Sequence, residues 1–189
     1  ASGSPRRKEL LALAGFNFTV CPAKGEEVTS KTLPCDIVCE LAHQKAFEIA
    51  KAQKAPCYVI GADTIVAFEN RILGKPKDSA DAVRMISMLQ GNTHQVYTGV
   101  TLIEVCADGS LREKSFYEET NVHVCQMTKD EIASYVATGE PLDKAGAYGI
   151  QGTFSIYVSG IEGDYFNVVG LPVSRLYHEF AAFQNASRK

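Results

Sequence analysis

Ser2, Gly3, Ser4, Pro5, Arg6 and Arg7 bring small hydrogen-bonding residues, a helix-starting proline and two guanidinium groups into one short run. Proline suits the first turn of a helix, where its missing N–H would have no intrahelical partner, and Gly3 lets the backbone before it turn amides toward an anion. Arg6 and Arg7 add forked donors that match phosphate oxygens. The chemistry that suits this run is the cradling of an oligophosphate. Read locally, the same residues also describe an ordinary helix start with solvated arginines, so other positions must decide.

Asp63 lies inside Tyr58–Phe68, an apolar, β-rich stretch. An ionised carboxylate there is costly unless it is hydrogen-bonded, paired or bound to a cation, although a turn or N-cap role is the alternative. Lys45 borders the apolar face of a helix expected over about 36–53, from which it either reaches a cleft or remains solvated. Lys75, between Gly74 and Pro76, offers a second point charge for an anion. Asp143 to Gly152 then combines Asp143 and Lys144 with three glycines and the bidentate amide of Gln151, a group able to read a base edge; a purely structural turn is the competing reading.

The elements that must position these residues follow from periodicity and turn chemistry. A helix runs from Pro5 to about Ala14 and closes at Gly15, followed by a short strand at Phe18–Cys21. Ile37, Leu41, Ala42, Ala46, Ile49 and Ala50 mark the buried face of the second helix. The strand carrying Asp63 turns at Asn70 back into Ile72 and Leu73, and a helix from Ser79 buries Ala82, Val83, Ile86 and Leu89 before Gly91. Long strands at Gln95–Val105 and Leu111–Val124 join at Asp108-Gly109. Thr128 and Glu131 match a capping box for a helix ending near Thr138, before Gly139. Strands around Ile156 and Tyr165 flank Glu162-Gly163-Asp164, and Leu171-Pro172 leads into a final helix through about Phe183.

At 189 residues, 46% hydrophobic and 22% charged, the chain suits one soluble α/β domain over residues 1–189. It has no apolar run of membrane-spanning length. A formal charge of −3 argues against broad binding to a nucleic acid polymer. The six cysteines include no Cys-x-x-Cys pair and read as free, mostly buried thiols, and without a targeting signal the expected location is cytoplasmic. Cys35, Cys39 and His43 stand a helical turn apart, but no fourth soft-metal ligand is evident.

Four segments occur in a specific order: Ser-Gly-Ser-Pro-Arg-Arg at 2–7, Gly-Ala-Asp-Thr at 61–64, Gly-Lys-Pro at 74–76 and Asp-Lys-Ala-Gly-Ala-Tyr-Gly-Ile-Gln-Gly at 143–152. With Glu26-Glu27, Lys45, His94 to Gly99 and Asn167 to Pro172, the chain resembles the Maf family of nucleoside triphosphate pyrophosphatases over nearly its full length. The resemblance implies an elongated mixed α/β fold related to inosine triphosphate pyrophosphatases, with substrate in a cleft between two lobes. It also implies an apolar strand ahead of Ala1, beneath the phosphate loop. Gly74 stands where family members often carry glutamate, which leaves Lys75 in place.

The implied reaction is hydrolysis of the α–β phosphoanhydride bond with a divalent cation, Mg or Mn. By this carry-over Asp63 activates water and contacts the cation, Glu27 helps bind the cation with Glu26 a weaker candidate, and Lys45 and Lys75 stabilise phosphate charge. Ser4 and Arg7 belong to the phosphate cradle, whereas Arg6, Thr64 and Gln151 select the base. Thr64 and Gln151 match the pattern that prefers dTTP and UTP, with modified pyrimidine triphosphates as further substrates. The alternatives are a 7-methyl-GTP or purine triphosphate pyrophosphatase and a nucleotide-binding division regulator without turnover. Relatives are often dimeric, so a homodimer is expected.

Overall fold

A computed structural model describes residues 1–186. Helix α1 spans Pro5–Leu13, α2 Pro34–Ala52, α3 Ser79–Leu89, α4 Lys129–Ala137, α5 Tyr165–Val169 and α6 Val173–Ala186. Strands β1 (Cys57–Phe68), β2 (Arg71–Leu73), β3 (Thr93–Val105), β4 (Leu111–Val124) and β5 (Val158–Glu162) form one sheet in the order β2-β1-β3-β4-β5. The architecture is therefore mixed α/β. No helix among the described residues is long and apolar enough to cross a membrane.

Local chemistry accounts for most boundaries. The first helix closes as a Schellman turn, with Gly15 at φ 76° and the Phe16 N–H donating to the Leu11 carbonyl at 3.1 Å. Glu69 and Asn70, at φ 49° and 61°, make the two-residue turn that returns β1 into β2, pairing Phe68 with Arg71. Asp108 accepts from Ser110 N at 2.9 Å and Gly109 takes φ 83°, closing the β3–β4 hairpin. Both bonds of the Thr128–Glu131 capping box are present, at 3.2 and 2.7 Å.

The chain divides into two compact units, each discontinuous in sequence. The first comprises Ala1–Asp63, Thr98–Glu118 and Gly170–Lys189, and the second Thr64–Tyr97 and Glu119–Val169. In the first unit, Ala46, Ala50, Val59, Ile103 and Val105 form a buried apolar cluster. Two glycines let α2 lie close to the sheet. A Cβ added at Gly61 would collide with the Ala42 carbonyl and stand 2.8 Å from the Ala46 Cβ; one at Gly99 would collide with the Val38 carbonyl. In the second unit α3 packs on α4 and on the short 3-10 turns Glu140–Asp143 and Ala145–Ala147.

Several expectations change. Phe18–Cys21 is not a strand; together with Cys57–Ile60 of β1 it lines a cavity of about 720 Å³. Tyr165 starts a helix, and Ile156 sits in a 3-10 turn at Thr153–Tyr157, leaving the strand at Val158–Glu162. On α3 the buried stripe uses Met85, while Val83 is 38% exposed. The six cysteines are free, but each keeps partial or full exposure instead of lying in the core.

Candidate active site

Within the first unit the close seat of α2 on β1 brings Lys45 to Asp63. The Lys45 ammonium is 2.6 Å from Asp63 Oδ1 and 3.0 Å from Glu27 Oε1, with side-chain exposures of 15% for Lys45, 12% for Asp63 and 50% for Glu27. One cation thus bridges two carboxylates, one enclosed in the sheet and one facing solvent. This is the partner that a carboxylate in an apolar strand requires.

Glu27 belongs to an otherwise exposed loop that is tied to α2 on both sides. Glu48 accepts from the Lys24 and Gly25 amides at 2.8 and 2.9 Å, and these bonds hold its carboxyl below the usual carboxylate range. Gln44 accepts from Val28 N at 3.2 Å and donates to Val28 O at 2.5 Å. Gln44 and Glu48 are one turn apart and flank Lys45 along the helix. The sequence places Gln44 beside Lys45 at the border of the apolar face but singles out neither Gln44 nor Glu48, although an i, i+4 polar pair beside a candidate lysine is a usable signal.

The opening run divides its labour. Ser4 is the N-cap of α1, without a side-chain cap bond; its carbonyl accepts from Lys8 N at 3.2 Å. Arg7 donates through Nε to Gly170 O at 2.8 Å and through Nη1 to Ala62 O at 2.9 Å and Ser2 Oγ at 3.1 Å. Its guanidinium therefore ties the start of α1 to the residue before Asp63 and to Gly170. Burial pulls the Arg7 pKa down, and the Asp63 charge opposes that shift. The Arg6 side chain has no hydrogen-bond or ion-pair partner among the described residues.

The second unit holds Thr64, Lys75 and Gln151. Thr64 is partly buried and engaged; Lys75 and Gln151 are exposed, and their side chains have no partner among the described residues. The backbone beside Lys75 is fixed, because Gly146 N donates to Gly74 O at 3.1 Å. Gly146 takes φ 69° and would place a Cβ 2.9 Å from Val66 Cγ1, so glycine serves both conformation and space. Tyr148, before the Gly149-Ile150-Gln151 segment, meets the fully buried His94 through a 2.7 Å bond between its hydroxyl and Nε2. Phe154 packs on the Tyr148 ring at 4.8 Å.

A family model described as Maf-like protein matches residues 1–183, and the chain belongs to that family. It is 54% identical over 191 residues to the dTTP/UTP pyrophosphatase of Agathobacter rectalis, covering 95% of this chain and 93% of the relative. A protein of the same name from Lachnoclostridium phytofermentans is 52% identical over 183 residues, covering 97% and 93%. Another from Bacillus cytotoxicus is 50% identical over 190 residues, covering 99% and 95%.

Proposed function

We propose that the chain is a nucleoside triphosphate pyrophosphatase that converts dTTP and UTP to the monophosphate and pyrophosphate. The observation that carries this reading is the Lys45 ammonium held between Asp63 and Glu27 in a chain 50 to 54% identical to relatives named for that activity. In this reading Asp63 takes a proton from the attacking water. A P–O bond forms to the water oxygen, the α–β anhydride bond breaks, and pyrophosphate leaves. Lys45 and Lys75 offset negative charge as it redistributes along the phosphates. Ser4 and Arg7 serve the phosphate side, Arg7 through the backbone it holds at Ala62. Arg6, Thr64 and Gln151 set the base preference.

The reading assigns a divalent cation, Mg or Mn, to Asp63 and Glu27. Asp63 and Glu27 offer two hard oxygen donors, which suit an ion that takes one or two carboxylates and completes its shell with phosphate oxygens and water; the Lys45 ammonium that bridges them here would turn from them toward the phosphates. Among the described residues no group of three or more His, Cys, Asp or Glu is placed to hold a metal without substrate. When bound, the ion supplies neutralisation of phosphate charge and a more electrophilic phosphorus.

A product-resolved panel tests the reading. With Mg or Mn, dTTP and UTP should yield pyrophosphate at kcat/KM well above that for 7-methyl-GTP. Asp63→Asn should reduce turnover by about 10²–10⁴-fold while far-ultraviolet circular dichroism stays unchanged. Orthophosphate as the product, or equal trace hydrolysis of every nucleotide, overturns it. The same reading takes residues 1–189 as one catalytic module that works in the cytoplasm as a homodimer, the last point open to sedimentation analysis.

A further inference from the structure

Gln151 is exposed and its amide has no partner among the described residues, yet the backbone on either side of it is tightly held. Glu140 is the common holder. Its Oε2 accepts from Thr153 N at 2.9 Å and its Oε1 from the Tyr135 hydroxyl at 3.2 Å. Its carbonyl accepts from Lys144 Nζ at 2.7 Å, and Lys144 also pairs with Asp143 at 2.7 Å. The Lys144 stem in turn lies over Gly149, where an added Cβ would be 2.8 Å from Lys144 Cε. Gly152 leaves room for the carboxylate itself, since a Cβ there would collide with both Glu140 oxygens and Cδ. In this arrangement Lys144 and Glu140 occupy the space that a side chain at Gly149 or Gly152 would need.

We propose that Glu140 is a positioning residue for base selection: through its carboxylate on Gly152-Thr153 and its carbonyl on Lys144, it fixes Gln151 from both sides. The inference rests on the dTTP/UTP reading above and deepens it by assigning the frame that aims the selecting amide. A hydrogen-bonding group discriminates strongly only when it is held where the correct edge can meet it. Freed from Glu140, Gln151 still exists but samples many positions, which weakens recognition of the pyrimidine more than turnover of bound substrate.

The test compares wild type, Glu140→Ala, Glu140→Asp and Glu140→Gln with dTTP, UTP and 7-methyl-GTP. Glu140→Ala is expected to raise KM for dTTP about tenfold, to leave kcat within about threefold and to shrink the dTTP to 7-methyl-GTP ratio about tenfold. Glu140→Gln, which keeps an oxygen for Thr153 N, restores most of that ratio. Glu140→Asp retains charge but withdraws the carboxylate by one methylene; it should lower the ratio even if the alanine variant does not fold. Amide exchange at 149–153 should quicken in parallel. A folded Glu140→Asp or Glu140→Ala protein with the wild-type ratio overturns this inference alone. A wild type with no base preference overturns the reading on which it rests.

Discussion

An ammonium with 15% side-chain exposure, 2.6 Å from one carboxylate and 3.0 Å from another, offsets charge that β1 would otherwise enclose. Removing it should therefore affect folding as well as turnover. Lys45→Met leaves Asp63 buried without its cation, an arrangement that costs about 3–5 kcal/mol, and should lower kcat by about 10²-fold or more. The double variant Lys45→Met with Asp63→Asn should regain most of the stability and none of the activity. Urea denaturation together with pyrophosphate release checks both halves, and an additive stability loss in the double variant would sink the coupling. The need of Asp63 for a partner was legible in the sequence, because a carboxylate in an apolar strand demands one, but Lys45 was legible only as a lysine that either reaches a cleft or remains solvated; that the two meet is a result of the fold. The duty of Arg7 was not. A guanidinium committed to the Ala62 and Gly170 carbonyls has the same local sequence as one pointing at phosphate, and only long-range geometry separates them.

Helix α2 positions the site by two different means, and each supports its own prediction. Its approach to the sheet depends on Gly61 and Gly99, whose missing side chains admit the Ala42 and Val38 carbonyls. Gly61→Ala should lift the helix, costing about 1–3 kcal/mol of stability and lowering turnover as Lys45 leaves Asp63. Gly74→Ala, with nothing within 4 Å of the added Cβ, is the control for stability. Thermal melts that rank the two variants equally would remove the argument. The exposed face of α2 instead works through Glu48, which fixes the loop bearing Glu27. Glu48→Ala should leave the melting temperature nearly unchanged while weakening Mn binding about tenfold, since outer groups that orient metal ligands carry that order of effect. Isothermal titration of Mn in the presence of a non-hydrolysable nucleotide measures it; unchanged affinity would exclude the orienting role. Helix boundaries were largely readable because Gly15, Gly91, the capping box at Thr128 and the periodic apolar face of α2 act locally. Glu48 and Glu140 were not, because the backbone amides they hold, at Lys24 and Gly25 and at Thr153, lie in other segments.

Across the whole molecule, strand order and burial are set by partners distant in sequence, which explains where the sequence reading failed. Phe18–Cys21 has strand composition but faces a cavity, and Tyr165 has β-forming chemistry yet opens a short helix after Gly163. The same long-range burial creates a pH response. His94, which falls outside the strand expected to start at Gln95, is fully enclosed and bonded to Tyr148, with Nδ1 lacking a partner among the described residues. Burial, with the nearby His123 charge adding to it, pushes its pKa from 6.5 down to about 4. The unfolded chain therefore binds the extra proton first. Between about pH 4 and 6.5 stability should rise with pH; below that window His94 is protonated in both states and the loss stops growing. The full effect is on the order of 3 kcal/mol. Asp81, Asp108 and Glu131, whose carboxyl pKa values are lowered by hydrogen bonds, add their own losses only at more acidic pH. The urea midpoint should consequently fall through pH 5.5, with His94→Phe removing most of that part of the fall; the Ala1 amine, pushed by burial from 8.0 down to about 6, adds a separate rise with pH between about pH 6 and 8. A wild-type midpoint constant from about pH 7 to 4.5, or an undiminished slope in His94→Phe, would show that the proton-linked cost lies elsewhere.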